Sequence, residues 1–246
     1  MRPADRKFRR ELDTKIARLE QRLAKYRSGD LTPGQNPGFD RMAEALFLRG
    51  DWSRSKEFGK KASDYWRLIF DNTAEDAKKC EPVFHLGSAH LFADDLDAAR
   101  DVFSKGVQLY VKHGMAGSDD TGYMAAVAGD LRRAEVVFHA AVVADMTAQG
   151  MGDLKLFGKR FPDTPRLLKL HFVQGLARKD RPLVEEMRLM ERWLNPEVEG
   201  ITSFRTEEWF FAAHQAVLGQ FARGEAPTFR LYDPDVRAGL VTKARR

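Results

Sequence analysis

The chain has 246 residues, of which 43% are hydrophobic and 31% are charged, so its composition is that of a folding protein and excludes wholesale disorder. The formal net charge of +5 arises at the two ends, because residues 1–27 carry ten Lys or Arg against four Asp or Glu and residues 237–246 carry four Lys or Arg and no acid. The segment between them is acidic, which argues against nucleic acid as the partner, because that affinity grows with the number of phosphates neutralised.

Residues 1–28 are predicted to form a basic amphipathic helix. Its apolar side chains recur every three or four residues and therefore form one stripe: Phe8, Leu12, Ile16, Leu19, Leu23 and Tyr26. The helix is either docked on the body of the protein with its charges in solvent, or it binds a membrane surface or a second copy as a coiled coil. Its length of under three heptads favours the docked helix. Residues 29–39 are rich in Gly and Pro and are predicted to be a connector.

Residues 40–246 are predicted to form a single all-α domain of helical hairpins, whose clearest part is residues 40–145. Three sharp turns recur, at Gly50–Asp51, Asp94–Asp95 and Gly129–Asp130. The Asp at the second position of each turn can accept N–H bonds at the start of the next helix. Four residues after that Asp comes a small side chain, which lets the second helix pack closely on the first: Ser55, Ala99 and Ala134.

The middle hairpin resembles a tetratricopeptide repeat. The residues that carry the resemblance are Val83, Leu86, Gly87, His90, Ala99, Phe103 and Gly106. Weaker copies flank it, with Gly59 in the first copy where the family has a large residue. The resemblance implies a right-handed array of helix pairs. Generic helical hairpins are the alternative outside the middle copy.

Beyond Met151 the chain is divided by prolines into shorter predicted helices. A fourth pair is expected at Leu167–Arg178 and Arg181–Leu194, with a turn at Lys179–Asp180, and a strongly apolar helix at Glu207–Ala222. No alternating pattern long enough for a sheet is present.

The sequence offers no motif for catalysis or for a metal. None of the six histidines lies in a His-Glu-x-x-His pattern or near a second cysteine. The glycine-rich stretch at residues 114–122 lacks the spacing of a nucleotide-binding loop. We therefore expect a protein that is not an enzyme and that needs neither a metal nor a cofactor.

The sequence also bears on where the protein resides. It contains no apolar run near the roughly 18 residues that cross a bilayer, and its first residues are too polar for a signal peptide. Cys80 is the only cysteine, so no internal disulfide can form. We expect a cytoplasmic protein without a membrane partner.

The tetratricopeptide resemblance implies a concave groove lined by the first helix of each pair, of the kind that binds a protein partner. The residues at its groove-facing positions that we expect to contact a partner are Glu44, Phe47, Phe84, Ser88, Phe92 and Tyr123. The alternative is that these side chains pack against the C-terminal helices.

A second resemblance concerns function. The segments Gly129-Asp130-Leu131-Arg132-Arg133-Ala134 and Glu208-Trp209-Phe210-Phe211-Ala212-Ala213 are similar to the immunity protein 49 family. This resemblance implies stoichiometric neutralisation of a cognate bacterial toxin. The alternatives are a scaffold or regulatory adaptor that binds a peptide in its groove, and nucleic-acid binding through the basic ends.

Overall fold

The computed structural model describes residues 3–32, 35–161, 164–178, 223–225 and 232. Within these residues the secondary structure is helical and contains no strand, which confirms an all-α protein. The helices are α1 (Pro3–Arg27), α2 (Phe39–Arg49), α3 (Trp52–Asn72), α4 (Cys80–Phe92), α5 (Leu96–Lys112), α6 (Asp119–Ala128), α7 (Leu131–Ala148), α8 (Leu154–Arg160) and α9 (Pro165–Arg178), with a 3-10 helix at Asp76–Lys79. None of these helices combines the length and the apolar character that crossing a membrane requires.

The described residues fall into two compact units, and the boundary between them lies inside α5, after Val102. In the first unit α3 packs against α2 and α4, and α4 also contacts α2. In the second unit α7 packs against α6 and α9. The predicted helix at Leu167–Arg178 is confirmed by α9, whereas those predicted at Arg181–Leu194 and Glu207–Ala222, and the turn at Lys179–Asp180, lie outside the described residues.

The first helix is docked on the first unit. Leu12, Leu19 and Leu23 are buried where α1 packs against α2. Its acids Asp13 and Glu20 form ion pairs with residues of the next two helices, at 2.7 Å from Asp13 Oδ1 to Arg49 Nε and 3.0 Å from Glu20 Oε1 to Arg54 Nη2.

The three predicted turns are confirmed and share one geometry. Each contains a residue with positive φ, at Gly50 (85°), Asp94 (65°) and Gly129 (91°). The following Asp donates its backbone N–H to the carbonyl five residues earlier, at 2.9 Å in all three turns. The carboxylate of that Asp then accepts the N–H three residues later, which caps the next helix.

The small residues after these turns lie where they were predicted, at points without exposure to solvent: Ser55, Ala99 and Ala134. The Ser55 hydroxyl donates a hydrogen bond to the Ala43 carbonyl oxygen at 2.7 Å, which ties α3 to α2. In the second unit, a Cβ on Gly122 of α6 would lie 2.9 Å from the Phe138 ring of α7. Both helix pairs therefore depend on small residues for their close approach.

Candidate functional site

Three of the six residues predicted to contact a partner belong to the core instead. Phe47 is 0% exposed, Phe92 8% and Tyr123 5%. The rings of Phe47 and Phe92 meet edge to face with their centroids 5.9 Å apart, and in the second unit Tyr123 meets Phe103 in the same way at 5.3 Å. The prediction that these side chains are presented to a partner is therefore wrong for the described structure, because each ring packs against another ring in the interior of its unit.

The other three residues remain partly exposed, and they lie on two helices of the first unit that contact each other. Glu44 is on α2, and Phe84 and Ser88 are on α4, one turn apart. Asp40 and His85 lie beside them, one turn before Glu44 and one residue after Phe84. We call this set, Asp40, Glu44, Phe84, His85 and Ser88, the α2–α4 face.

The centre of the α2–α4 face is an aspartate–histidine pair supported by a tryptophan. Asp40 Oδ2 is 3.2 Å from His85 Nδ1, and the His85 ring lies flat on the Trp66 indole of α3 with centroids 4.3 Å apart. Burial alone would raise the pKa of Asp40, but the hydrogen bond and charge of His85, with a further contribution from Arg41, hold it below its usual value. Asp40 is therefore kept as a carboxylate although it is buried.

Glu44 lies in the opposite electrostatic situation, although it is only one turn away on α2. Burial raises its pKa, and the charge of Asp40 adds to this effect. Lys15 of α1 counteracts the shift in part, with its Nζ 3.3 Å from Glu44 Oε2. The α2–α4 face thus holds two carboxylates whose protonation the fold drives in opposite directions.

Several buried polar atoms at or next to this face have no hydrogen-bond partner among the described residues: Asp40 Oδ1, Ser88 Oγ and Trp66 Nε1. A buried polar group without a partner costs about 1–3 kcal/mol, and most such groups in proteins are satisfied. These atoms are closed off from solvent, so the parts of the face that another molecule can reach are the partly exposed residues Glu44, Phe84, His85 and Ser88.

No described base is hydrogen-bonded to Ser88, whose Oγ has no partner within the described part of the chain. His90, one turn further along α4, is buried and accepts a hydrogen bond at Nε2 from Arg67 Nη2, at 3.1 Å. In the described ranges, no three His, Cys, Asp or Glu side chains come together as a metal ion requires.

A second cluster of charges, in the other unit, is satisfied internally. Arg166 of α9 reaches Asp145 of α7 at 2.7 Å and Asp119 of α6 at 3.6 Å, and Lys169 lies 3.3 Å from Asp119. Each charge faces an opposite one across a helix boundary. The cluster ties α6, α7 and α9 together, and its role is structural.

Sequence reasoning missed Asp40, His85 and Trp66 as members of the site. The available signal was the spacing of Asp40 and Glu44, four residues apart, which places two acids on one face of the predicted helix. Nothing in the sequence paired either acid with His85, which lies 45 residues beyond Asp40 on another helix.

Comparison with known proteins gives no further assignment, since no protein-family model, no curated protein and no solved structure matches this chain.

Proposed function

We propose that the protein acts by stoichiometric, non-catalytic binding of a protein partner through the α2–α4 face. The observation that carries the proposal is that Phe84, Glu44 and Ser88 lie partly exposed together on two helices that contact each other. Aromatic side chains such as Phe84 are enriched at protein–protein interfaces. The site differs from the predicted groove by excluding Phe47, Phe92 and Tyr123 and including Asp40 and His85.

We further propose that the helix pairs follow the right-handed arrangement of tetratricopeptide arrays. Two observations support this: α4 packs on both helices of the preceding pair, and the turns at Gly50, Asp94 and Gly129 repeat one geometry. In such arrays the first helices of successive pairs form the binding surface. The α2–α4 face lies on two such helices.

The partner that the sequence resemblance favours is a bacterial toxin, which the protein would neutralise in the cytoplasm as an immunity protein. A scaffold or adaptor that binds a peptide through the same face is the second candidate. The two are distinguished by the neighbouring genes and, where one of them encodes a toxin, by co-expression with that toxin. An immunity protein restores growth and inhibits the toxin at a 1:1 ratio, whereas an adaptor has no effect on it.

The binding face is tested with the full chain and the partner that it recovers from its native host. Phe84→Ala and Glu44→Gln should each weaken binding by at least about fivefold in calorimetry, the effect of removing an interface anchor. Leu68→Ala is the control, because Leu68 is 62% exposed and lies on α3 outside the face. Equal binding by all three variants would place the site elsewhere, and recovery of nucleic acid in place of protein would contradict the proposed function.

A further inference from the structure

Helix α1 carries a row of positive charges along one side. Lys15, Arg18, Arg22 and Lys25 follow each other at steps of three, four and three residues, so they share one face of the helix. The row is about 15 Å long, at 1.5 Å per residue. We call these four residues the cationic row.

Asp13 and Glu20 lie on the opposite side of α1 and are bound to Arg49 and Arg54 of the neighbouring helices. Glu11 lies on the same face as the row, one turn before Lys15, so the row is free of acids from Lys15 to Lys25. Within the row, Arg18 and Lys25 are exposed, and their side chains form no ion pair or hydrogen bond in the described part of the chain. The inner members do have partners, because Lys15 contacts Glu44 and Arg22 Nε donates to the Asn36 carbonyl oxygen at 2.7 Å.

This arrangement is unfavourable for an isolated helix. Each step of the row places two positive charges one turn apart, and such pairs destabilise a helix by about 0.2–0.5 kcal/mol each. The helix dipole favours a cation in the last turn, which accounts for Lys25 but not for Arg18 in the middle of the helix. Arg18 and Lys25 are thus the two positive charges of the row that an anion of another molecule can reach.

We propose that the cationic row binds an acidic segment of the protein partner, an inference that rests on the proposed function. The row adjoins the α2–α4 face through the Lys15–Glu44 pair, so one partner can contact both. A length of about 15 Å fits some four or five residues of an extended acidic segment, at about 3.3 Å per residue.

Two other polyanions fit the surface less well. The segment of the chain between its two basic ends carries more acidic than basic residues and would repel a nucleic acid that extended beyond the row, whereas a short acidic segment contacts the row alone. The row contains no aromatic or large apolar side chain to enter a lipid interface.

The experiment measures binding of a fluorescent peptide of ten Glu residues to the full chain by anisotropy at low salt, beside a 20-base-pair DNA duplex and phosphatidylserine vesicles. Two double variants remove the exposed charges of the row. One combines Arg18→Glu with Lys25→Glu, and the other combines Arg18→Gln with Lys25→Gln and so adds no acids. The matched control is Lys155→Glu, Lys159→Glu, which makes the same charge change four residues apart on α8, where both side chains are exposed. Circular dichroism shows whether each variant is folded.

We expect both row variants to weaken peptide binding at least tenfold and the control to weaken it less than twofold. Equal losses in the row and control variants, no binding of the peptide, or tighter binding of DNA or vesicles through the row would each overturn the proposal. The native partner separates this inference from the proposed function. If row variants bind it as wild type does while Phe84→Ala binds weakly, the row proposal fails and the proposed function stands; if no protein partner binds, the proposed function fails.

Discussion

A Cβ atom on Gly59 would lie 2.4 Å from the backbone carbonyl carbon of Phe92, because the middle of α3 crosses the end of α4 at this glycine. The backbone N of Ala93 would be equally close, at 2.4 Å. The tetratricopeptide pattern has a large residue at this position, whereas here the direct approach of two backbones leaves no room for a side chain.

Gly59→Ala is expected to destabilise the protein by about 1–3 kcal/mol, because the clash is with backbone atoms that cannot turn aside. Alanine is otherwise the better helix former by about 1 kcal/mol. Gly158→Ala in α8 is the matched control, since its Cβ would lie at an ordinary 3.5 Å from Leu167 Cδ2, and it should leave stability unchanged or raise it. Urea unfolding of both variants measures the difference, and a stable Gly59→Ala protein would contradict the packing of α3 on α4.

Ala99→Leu and Ala134→Leu are each expected to cost about 1–3 kcal/mol, because both alanines are without exposure and a leucine must displace its neighbours. Ala140→Leu makes the same change at an exposed position of α7 and should have little effect. Chemical denaturation reports the three values. Equal stability of Ala134→Leu and Ala140→Leu would show that α6 and α7 do not approach closely at Ala134.

Asp40→Asn should change how stability depends on pH. The fold lowers the pKa of Asp40, so the carboxylate stabilises the folded state above its unfolded pKa of about 3.9, and this contribution is lost as the pH falls through the lower folded pKa. The variant should therefore be less stable than wild type near about pH 6, and the gap should narrow below about pH 4. Asp97→Asn, with a side chain 98% exposed, is the control. A difference in unfolding free energy between variant and wild type that stays constant over this pH range would contradict a lowered pKa for Asp40.

Glu44→Gln should show the opposite slope. Burial raises the pKa of Glu44, so its contribution is present below the unfolded pKa of about 4.3 and is lost as the pH rises through the folded pKa. The stability of the variant relative to wild type should therefore increase with pH from about 4 towards neutrality. Denaturant unfolding across this range, with the exposed Glu81→Gln as reference, tests the sign. A relative stability that falls with pH would mean that Lys15 outweighs burial.

The turns could be predicted because their chemistry is local. A residue that tolerates positive φ, followed by Asp, identifies both the end of one helix and the N-cap of the next. The small residue four positions later indicates that the two helices pack closely. The docking of α1 followed from the stripe of Leu12, Leu19 and Leu23. Each of these signals lies within one helix or one turn.

The binding residues could not be predicted in the same way. Residues 45–48 of α2 are apolar without interruption, so periodicity cannot tell which of them would face a groove and which the core, and all four are buried. The Asp40–His85 pair depends on the packing of α2 against α4, a relationship set by tertiary structure. The burial that raises the pKa of Glu44, one turn from the lowered pKa of Asp40, is also a product of tertiary packing and cannot be read from the sequence.

The shared geometry of the three turns also has a kinetic consequence. Each turn is closed by hydrogen bonds between residues no more than five apart, so little loop-closure entropy is lost when it forms. The pair formed by α2 and α3 is complete at Asn72, where α3 ends. The hydrogen bond from Ser55 to Ala43 joins these two helices and involves no residue later in the chain. During synthesis on the ribosome, this first pair can therefore assemble before α6 and α7 have been translated.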